Sequence, residues 1–296
     1  MLKNLLTEQS HSASSHLADL QTREMLQIMN AADAEVAAAV ALEIPRIAAA
    51  VDAIALRLAQ GGHLTYIGAG TSGRLGVLDA AECPPTFNVS PDLVRGIIAG
   101  GEKALSRAIE ATEDDPDSGA RDLLASGFGP GDALVGIAAS GRTPYVLGAM
   151  AAARQMGALT AGISCSFDSE LSRAVEYPME PKPGPEVVTG STRLRAGTAT
   201  KMVLNMISTG VMIKLGYVYG NLMVNVQPTN KKLEDRARRI IEQAAEVTPE
   251  RAAKLLEESG RSVRTAIVME KKKLSREEAE VRLRNTAGKI KEALAE

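Results

Sequence analysis

Two stretches of this chain pass from an apolar, β-leaning run through a short loop of glycine and hydroxyl residues into a helix. The first runs from His63-Leu64-Thr65-Tyr66-Ile67 through Gly68-Ala69-Gly70-Thr71-Ser72-Gly73 to a helical pattern at 74–81. The second runs from Ala133-Leu134-Val135-Gly136-Ile137-Ala138 through Ser140-Gly141-Arg142-Thr143-Pro144 to a helix at 145–156. A continuous apolar run is the mark of a strand buried on both faces of a parallel sheet. Strands alternating with helices predict an α/β fold with a doubly wound parallel sheet.

The rest of the chain fits that frame. Residues 94–99 and 159–165 read as further strands, 174–179 as a weak edge strand, and 104–111 as a helix. A long apolar helix at 194–215 is expected to pack on the sheet. Residues 22–60 carry helical spacing, with Pro45 opening a new helix and Gly61-Gly62 ending it. From 231 onward the pattern becomes charged and amphipathic. Thr248-Pro249 marks a helix start, Ser259-Gly260 a stop, and Ser275 with Glu278 a capping box, so a small helical bundle is expected. Lys271-Lys272-Lys273 sits among glutamates and reads as a solvated turn.

The two loops share one chemistry. A phosphate needs several donors on a short arc, and a helix N-terminus supplies backbone N–H groups and a favourable dipole. Glycine lets the backbone come close, and Thr71, Ser72, Ser140 and Thr143 add hydroxyls. Gly68 to Gly73 also spells G-x-G-x-x-G, but no acidic residue ends the next strand to hold a ribose, and no P-loop lysine follows. A phosphate-bearing small molecule is the better reading. A third segment, Glu186-Val187-Val188-Thr189-Gly190-Ser191-Thr192-Arg193, precedes the long helix. Thr189, Ser191 and Thr192 are candidate caps for it, and Glu186 a candidate contact for a sugar hydroxyl.

Composition excludes several classes. With 34 basic and 36 acidic side chains there is no field to recruit nucleic acid. Without Trp, and with three Phe and five Tyr, there is no stacking platform for single strands either. No run approaches the roughly 20 apolar residues of a membrane helix, and the polar start does not read as a signal peptide. Cys83 and Cys165 have neither a disulfide framework nor metal-ligand spacing, which fits a cytoplasmic protein.

With three histidines, two of them in the polar N-terminal segment, no triad or metal cluster suggests itself. The acid/base groups must be carboxylates, with lysine as a candidate assistant. Glu82, in Asp79-Ala80-Ala81-Glu82-Cys83-Pro84-Pro85-Thr86, is expected at the end of a helix that the double proline halts. An acid is electrostatically disfavoured there, which hints at a function. In the acidic stretch 110–117, residues alone do not choose between Glu110 and Glu113.

Longer words carry a resemblance. Ile67-Gly68-Ala69-Gly70-Thr71-Ser72-Gly73-Arg74-Leu75-Gly76, Asp79 to Thr86 as quoted, Ile98-Ala99-Gly100-Gly101, Gly136 to Tyr145, Glu186 to Ser191 and Asn221-Leu222-Met223-Val224 resemble the N-acetylmuramic acid 6-phosphate etherases. The likeness begins at Leu6-Thr7-Glu8 and reaches the helical tail. That family lies within the sugar isomerase (SIS) superfamily. The resemblance implies a five-stranded parallel SIS sheet flanked by helices, a homodimer, and no metal or cofactor. It also implies an N-terminal helical segment over 1–54, a sugar-phosphate-binding domain over 55–230 and a helical, UBA-like domain over 231–296. By resemblance Glu82 is the acid/base glutamate and Glu113 the second active-site glutamate; Thr71, Ser72, Ser140, Arg142, Thr143, Glu186 and Ser191 are the candidate substrate- and phosphate-binding residues.

The implied reaction is cleavage of the C3 D-lactyl ether of N-acetylmuramic acid 6-phosphate, giving N-acetylglucosamine 6-phosphate and D-lactate in cell-wall sugar recycling. In the open-chain aldehyde the C2 proton is acidic and the C3 ether lies β to the carbonyl, so elimination followed by hydration is available. Two other readings use the same loops. An aldose–ketose isomerase needs a base at C2 but no acid at C3. A non-catalytic sensor like the glucokinase regulatory protein binds sugar phosphate without turnover, but carries two such domains where this chain has room for one.

Overall fold

The computed structural model describes residues 8–109 and 112–295. Leu6, Thr7, Glu110 and Ala111 therefore lie outside the described residues. By its contacts the chain forms two compact units. One runs up to Glu82 and resumes over Pro91–Ser208; the other holds Cys83–Ser90 and everything from Thr209 onward.

Along the chain the first α-helices are α1 (Thr22–Ala34), α2 (Val36–Ala41) and α3 (Ile44–Ala59), with Pro45 in the first turn of α3 as expected. Strand β1 (Leu64–Gly68) then leads into α4 (Gly70–Phe87) after Ala69 alone. The glycine and hydroxyl residues thus form the first turn of α4 rather than a separate loop. Next come β2 (Val94–Ile98), α5 (Lys103–Ser106), α6 (Pro116–Ala125), β3 (Ala133–Ile137), α7 (Pro144–Gln155), β4 (Leu159–Ile163), α8 (Glu170–Ala174), β5 (Tyr177–Met179) and α9 (Arg195–Lys214).

The sheet has five parallel strands in the order β2-β1-β3-β4-β5. β1, β3 and β4 are buried along their whole length, because helices cover both faces. The chain reverses its direction of winding between β1 and β3, and Gly68 stands opposite Ile137 in register. Their following segments therefore leave the sheet side by side, at the switch point where ligands of open α/β sheets bind. Gly68 and Gly73 allow α4 to start this close. A Cβ on Gly73 would meet the Gly68 carbonyl oxygen at 2.6 Å, and one on Gly68 would meet the Gly73 nitrogen at 2.8 Å.

Three expectations need correction. Pro84 and Pro85 do not halt α4, which continues to Phe87 with Asn88 N–H donating to the Pro84 carbonyl at 2.8 Å. Proline's fixed φ is compatible with a helix, and its cost is the missing N–H. Glu82 is therefore inside the helix and not at its end. The helix expected at 104–111 stops at Ser106, where Arg107 turns extended (φ −134°). The Arg74 guanidinium takes the carbonyls of Leu105 and Arg107 at 3.3 and 3.0 Å, satisfying backbone that a longer helix would have used. α6, which the acidic stretch concealed, is capped by Asp115 accepting from the N–H groups of Asp117 and Ser118, with Pro116 in its first turn.

The second unit contains the hairpin β6 (Val218–Tyr219) and β7 (Leu222–Met223) and five helices: α10 (Lys231–Ala245), α11 (Pro249–Glu258), α12 (Val263–Lys272), α13 (Arg276–Asn285) and α14 (Ile290–Ala295). Thr248 caps α11 and the Ser275–Glu278 box caps α13, as the sequence predicts. The unit begins well before residue 231 because Val224 and Val226 belong to the same core as Ile240, Leu255 and Ile267. Asn225 Nδ2 also donates to the carbonyls of Phe87 (2.6 Å) and Asn88 (3.1 Å).

Candidate functional site

The carboxyl edge of β1 and β3 gathers most of the candidate residues. Thr71 and Ser72 lie half-buried in the first turn of α4. Gly70, at φ +52°, is left-handed, a conformation that costs residues with a Cβ. Beyond β3, Ser140 Oγ accepts the Arg142 N–H at 3.3 Å, which folds the second loop back on itself. Thr143 opens α7 without using its hydroxyl as a cap; its carbonyl instead accepts from Val146 and Leu147. The Arg142 side chain reaches outward to Glu170 on α8, with Nε to Oε1 at 2.9 Å.

Glu113 arrives at the first loop from the other side. A Cβ on Gly70 would lie 3.2 Å from Glu113 Oε1, so this carboxylate sits directly over the glycine turn. Its backbone is fixed as well, since Tyr145 N–H donates to the Glu113 carbonyl at 3.1 Å. α6 and α7 can cross tightly because Gly119 and Gly148 face backbone. Side-chain carbons there would meet the Tyr145 and Pro116 carbonyl oxygens at 1.8 and 2.0 Å. The Tyr145 hydroxyl, whose pKa burial pushes up, donates to Asp122 at 2.7 Å. Glu113 is thereby held by two helices packed across the loop.

The third segment approaches the same edge. A Cβ on Gly197 of α9 would lie 3.7 Å from the Thr71 methyl. Glu186, only 1% exposed, accepts the N–H groups of Arg195 (2.8 Å) and Ala196 (3.0 Å). The cap of α9 is thus Glu186, and not Thr189, Ser191 or Thr192. Ser191 is half-buried in the preceding turn, its N–H on the Val188 carbonyl. Arg195, also buried, reaches Glu35 at 2.6 Å and the Pro185 carbonyl at 3.1 Å.

Glu82 is not part of this cluster. Twelve residues of α4 separate it from Gly70, which at 1.5 Å per residue is about 18 Å. It is exposed and lines a cavity of about 270 Å³ between α4 and α9, together with Asp79, Lys201 and Asn205. Sequence reasoning did not single out the last three. Their signal is the polar spacing Lys201, Asn205, Ser208 along one face of an otherwise apolar helix.

Relatives with assigned names resolve what the loops alone leave open. The chain is 50% identical over 295 residues to an N-acetylmuramic acid 6-phosphate etherase of Clostridium beijerinckii, covering 100% of this chain and 97% of that one. It is 52% identical to one from Exiguobacterium, over 99% of this chain and 100% of that one. It belongs to the N-acetylmuramic acid 6-phosphate etherase family. An etherase from Aeromonas hydrophila is 51% identical over 98% of this chain and 97% of its own. Residues 46–154 of this chain match the glucokinase regulatory protein N-terminal SIS domain. The fold is that of a phosphoheptose isomerase from Francisella tularensis, at 17% identity and a TM-score of 0.51 over 66% of this chain and 100% of that one. A protein from E. coli is similar at 14% identity and a TM-score of 0.50, over 68% of this chain and 97% of that one.

Proposed function

We propose that this chain cleaves the C3 D-lactyl ether of N-acetylmuramic acid 6-phosphate, releasing N-acetylglucosamine 6-phosphate and D-lactate. The observation that carries this reading is near-half identity along the full chain to proteins named for that etherase. The two hydroxyl-bearing loops side by side at the switch point support it, since a sugar phosphate needs such a cradle. Phosphorylated sugars do not cross membranes unaided, so we place the reaction in the cytoplasm, in recycling of cell-wall sugars.

In this proposal Thr71, Ser72, Ser140 and Thr143 hold the phosphate, with the loop N–H groups. The sugar opens to its aldehyde. Glu113 removes the C2 proton, the C3–O bond breaks, and Glu82 protonates the departing lactate oxygen. Water then adds its oxygen to C3 while C2 regains a proton, so the net change is one water consumed. Each positioned proton transfer contributes on the order of 10²–10⁴-fold. Ser191 and Arg142 lie at the rim of the site, and Glu186 acts through the cap that sets α9 beside Thr71.

Both carboxylates cannot serve one sugar ring from one chain. Glu113 lies against Gly70, whereas Glu82 is about 18 Å further along α4. We therefore infer a homodimer in which Glu82 of the partner subunit reaches the phosphate loops. The expected result with purified protein and N-acetylmuramic acid 6-phosphate is stoichiometric D-lactate and N-acetylglucosamine 6-phosphate. Aldose–ketose conversion, or binding without turnover, would refute the etherase reading.

A further inference from the structure

The cavity between α4 and α9 holds chemistry that phosphate binding does not use. Its polar wall is Asp79 and Glu82 from α4 facing Lys201 and Asn205 from α9; leucines complete it. We propose that Lys201 binds the carboxylate of the lactyl substituent, and so selects an anionic ether at C3. This rests on the etherase reading above and on the inferred homodimer that brings the Glu82 cavity to the partner subunit's phosphate loops.

Three features converge on it. First, the lysine is positioned. Buried Asp79 accepts the Ser208 hydroxyl at 3.2 Å. The Asn205 amide has one orientation that satisfies both neighbours, with its N–H₂ donating to Asp79 Oδ1 at 3.2 Å and its oxygen accepting from Lys201 Nζ at 2.7 Å. A chain from Asp79 through Asn205 thus fixes the end of a long side chain that otherwise carries about 2 kcal/mol of rotamer freedom.

Second, the incoming group calls for a cation. An ammonium has three donors, of which Asn205 takes one. The substrate's lactyl carboxylate would enter beside Asp79 and Glu82 as a third carboxyl, and a neighbouring cation favours its charged form. Lys201 is the cation among the cavity's described lining residues.

Third, the wall matches the group. A lactyl substituent carries an ether oxygen, a carboxylate and a methyl. Here Glu82, Lys201 and the side chains of Leu75, Leu78 and Leu204 stand around one space.

The test compares wild type, Lys201→Met and Lys201→Arg on N-acetylmuramic acid 6-phosphate and on its uncharged lactamide analogue. Loss of a hydrogen bond to a charged group predicts that Lys201→Met lowers kcat/KM on the natural substrate about tenfold or more, mainly through KM. On the lactamide, wild type and Lys201→Met should be equal, and Lys201→Arg should keep part of the preference for the carboxylate. Asn205→Ala, which keeps the charge but frees it, should raise KM with an unchanged melting temperature. Unaltered kcat/KM in Lys201→Met, or an equal loss on both substrates, would overturn the proposal while leaving the etherase reading intact. Wild type releasing no lactate at all would remove that reading, and this inference with it.

Discussion

A methyl group placed on Gly70 would stand 3.2 Å from Oε1 of Glu113. The turn proposed to approach a phosphate is therefore also the seat of a carboxylate that arrives from a different part of the chain. Glycine serves both purposes there, through its left-handed φ of +52° and through its missing side chain.

Gly70→Ala should accordingly lose more activity than stability. A left-handed non-glycine residue costs about 1–2 kcal/mol, a fall of roughly 2–6 °C in melting temperature for a chain of this size. The crowded Glu113 must also move. Steady-state kinetics beside a thermal melt should show kcat reduced well beyond what the melt accounts for. Wild-type kcat in the variant would separate Glu113 from the chemistry.

The separation of Glu82 from that turn makes a prediction about mixing. Glu82→Gln and Glu113→Gln should each be inactive alone. In the proposed homodimer, refolding the two variants together should pair one of each in half of the dimers, with one intact site of two. About a quarter of wild-type activity should return. Size-exclusion chromatography with lactate assay checks this; no recovery from mixed dimers would return both carboxylates to one chain.

Glu186 caps α9. Replacing it with Ala orphans two buried N–H groups, those of Arg195 and Ala196, at a cost of about 1–3 kcal/mol each at most. Glu186→Gln keeps an acceptor and should lose less. Chemical denaturation gives the ranking wild type, Gln, Ala. If the Gln variant were fully stable but could not bind substrate, a direct contact with the sugar would replace the cap as its role.

Asp79 predicts a pH signature. Burial raises its pKa above the ordinary 3.8, against hydrogen bonds from Tyr66 and Ser208 and the charge of Lys201. The folded state thus holds the proton more tightly than the unfolded one. Stability from this group is complete below about pH 3.8 and is lost as pH rises through the folded value. Asp79→Asn should flatten that fall, measured as denaturation midpoints from pH 4 to 7. Identical slopes in both proteins would contradict the assignment.

Much of this was readable because it is local. Strand runs such as 133–137, the Ser275–Glu278 box and the Thr248-Pro249 start are decided within a few residues, and the structure keeps them. Asp115-Pro116 was an equally local start signal, hidden by its acidic neighbours. The end of α4 is not legible locally: two prolines read as a stop, whereas Asn225 takes the carbonyls of Phe87 and Asn88 and stabilises the exit. Contacts across long stretches of chain leave no such trace. Asp79 meets Ser208 over 129 positions, and Glu113 meets Gly70 only because α6 and α7 pack. The pairing of glutamates came from family resemblance; the distance between them came from the helix.

The most direct measurement is the incubation of the purified protein with N-acetylmuramic acid 6-phosphate in ¹⁸O-water, followed by mass analysis of both products. Elimination and hydration at C3 predict D-lactate with an unlabelled hydroxyl, and N-acetylglucosamine 6-phosphate carrying ¹⁸O at C3. Label in the lactate hydroxyl would mean that water attacks the lactyl carbon, and no lactate at all would mean that the chain does not cleave this ether.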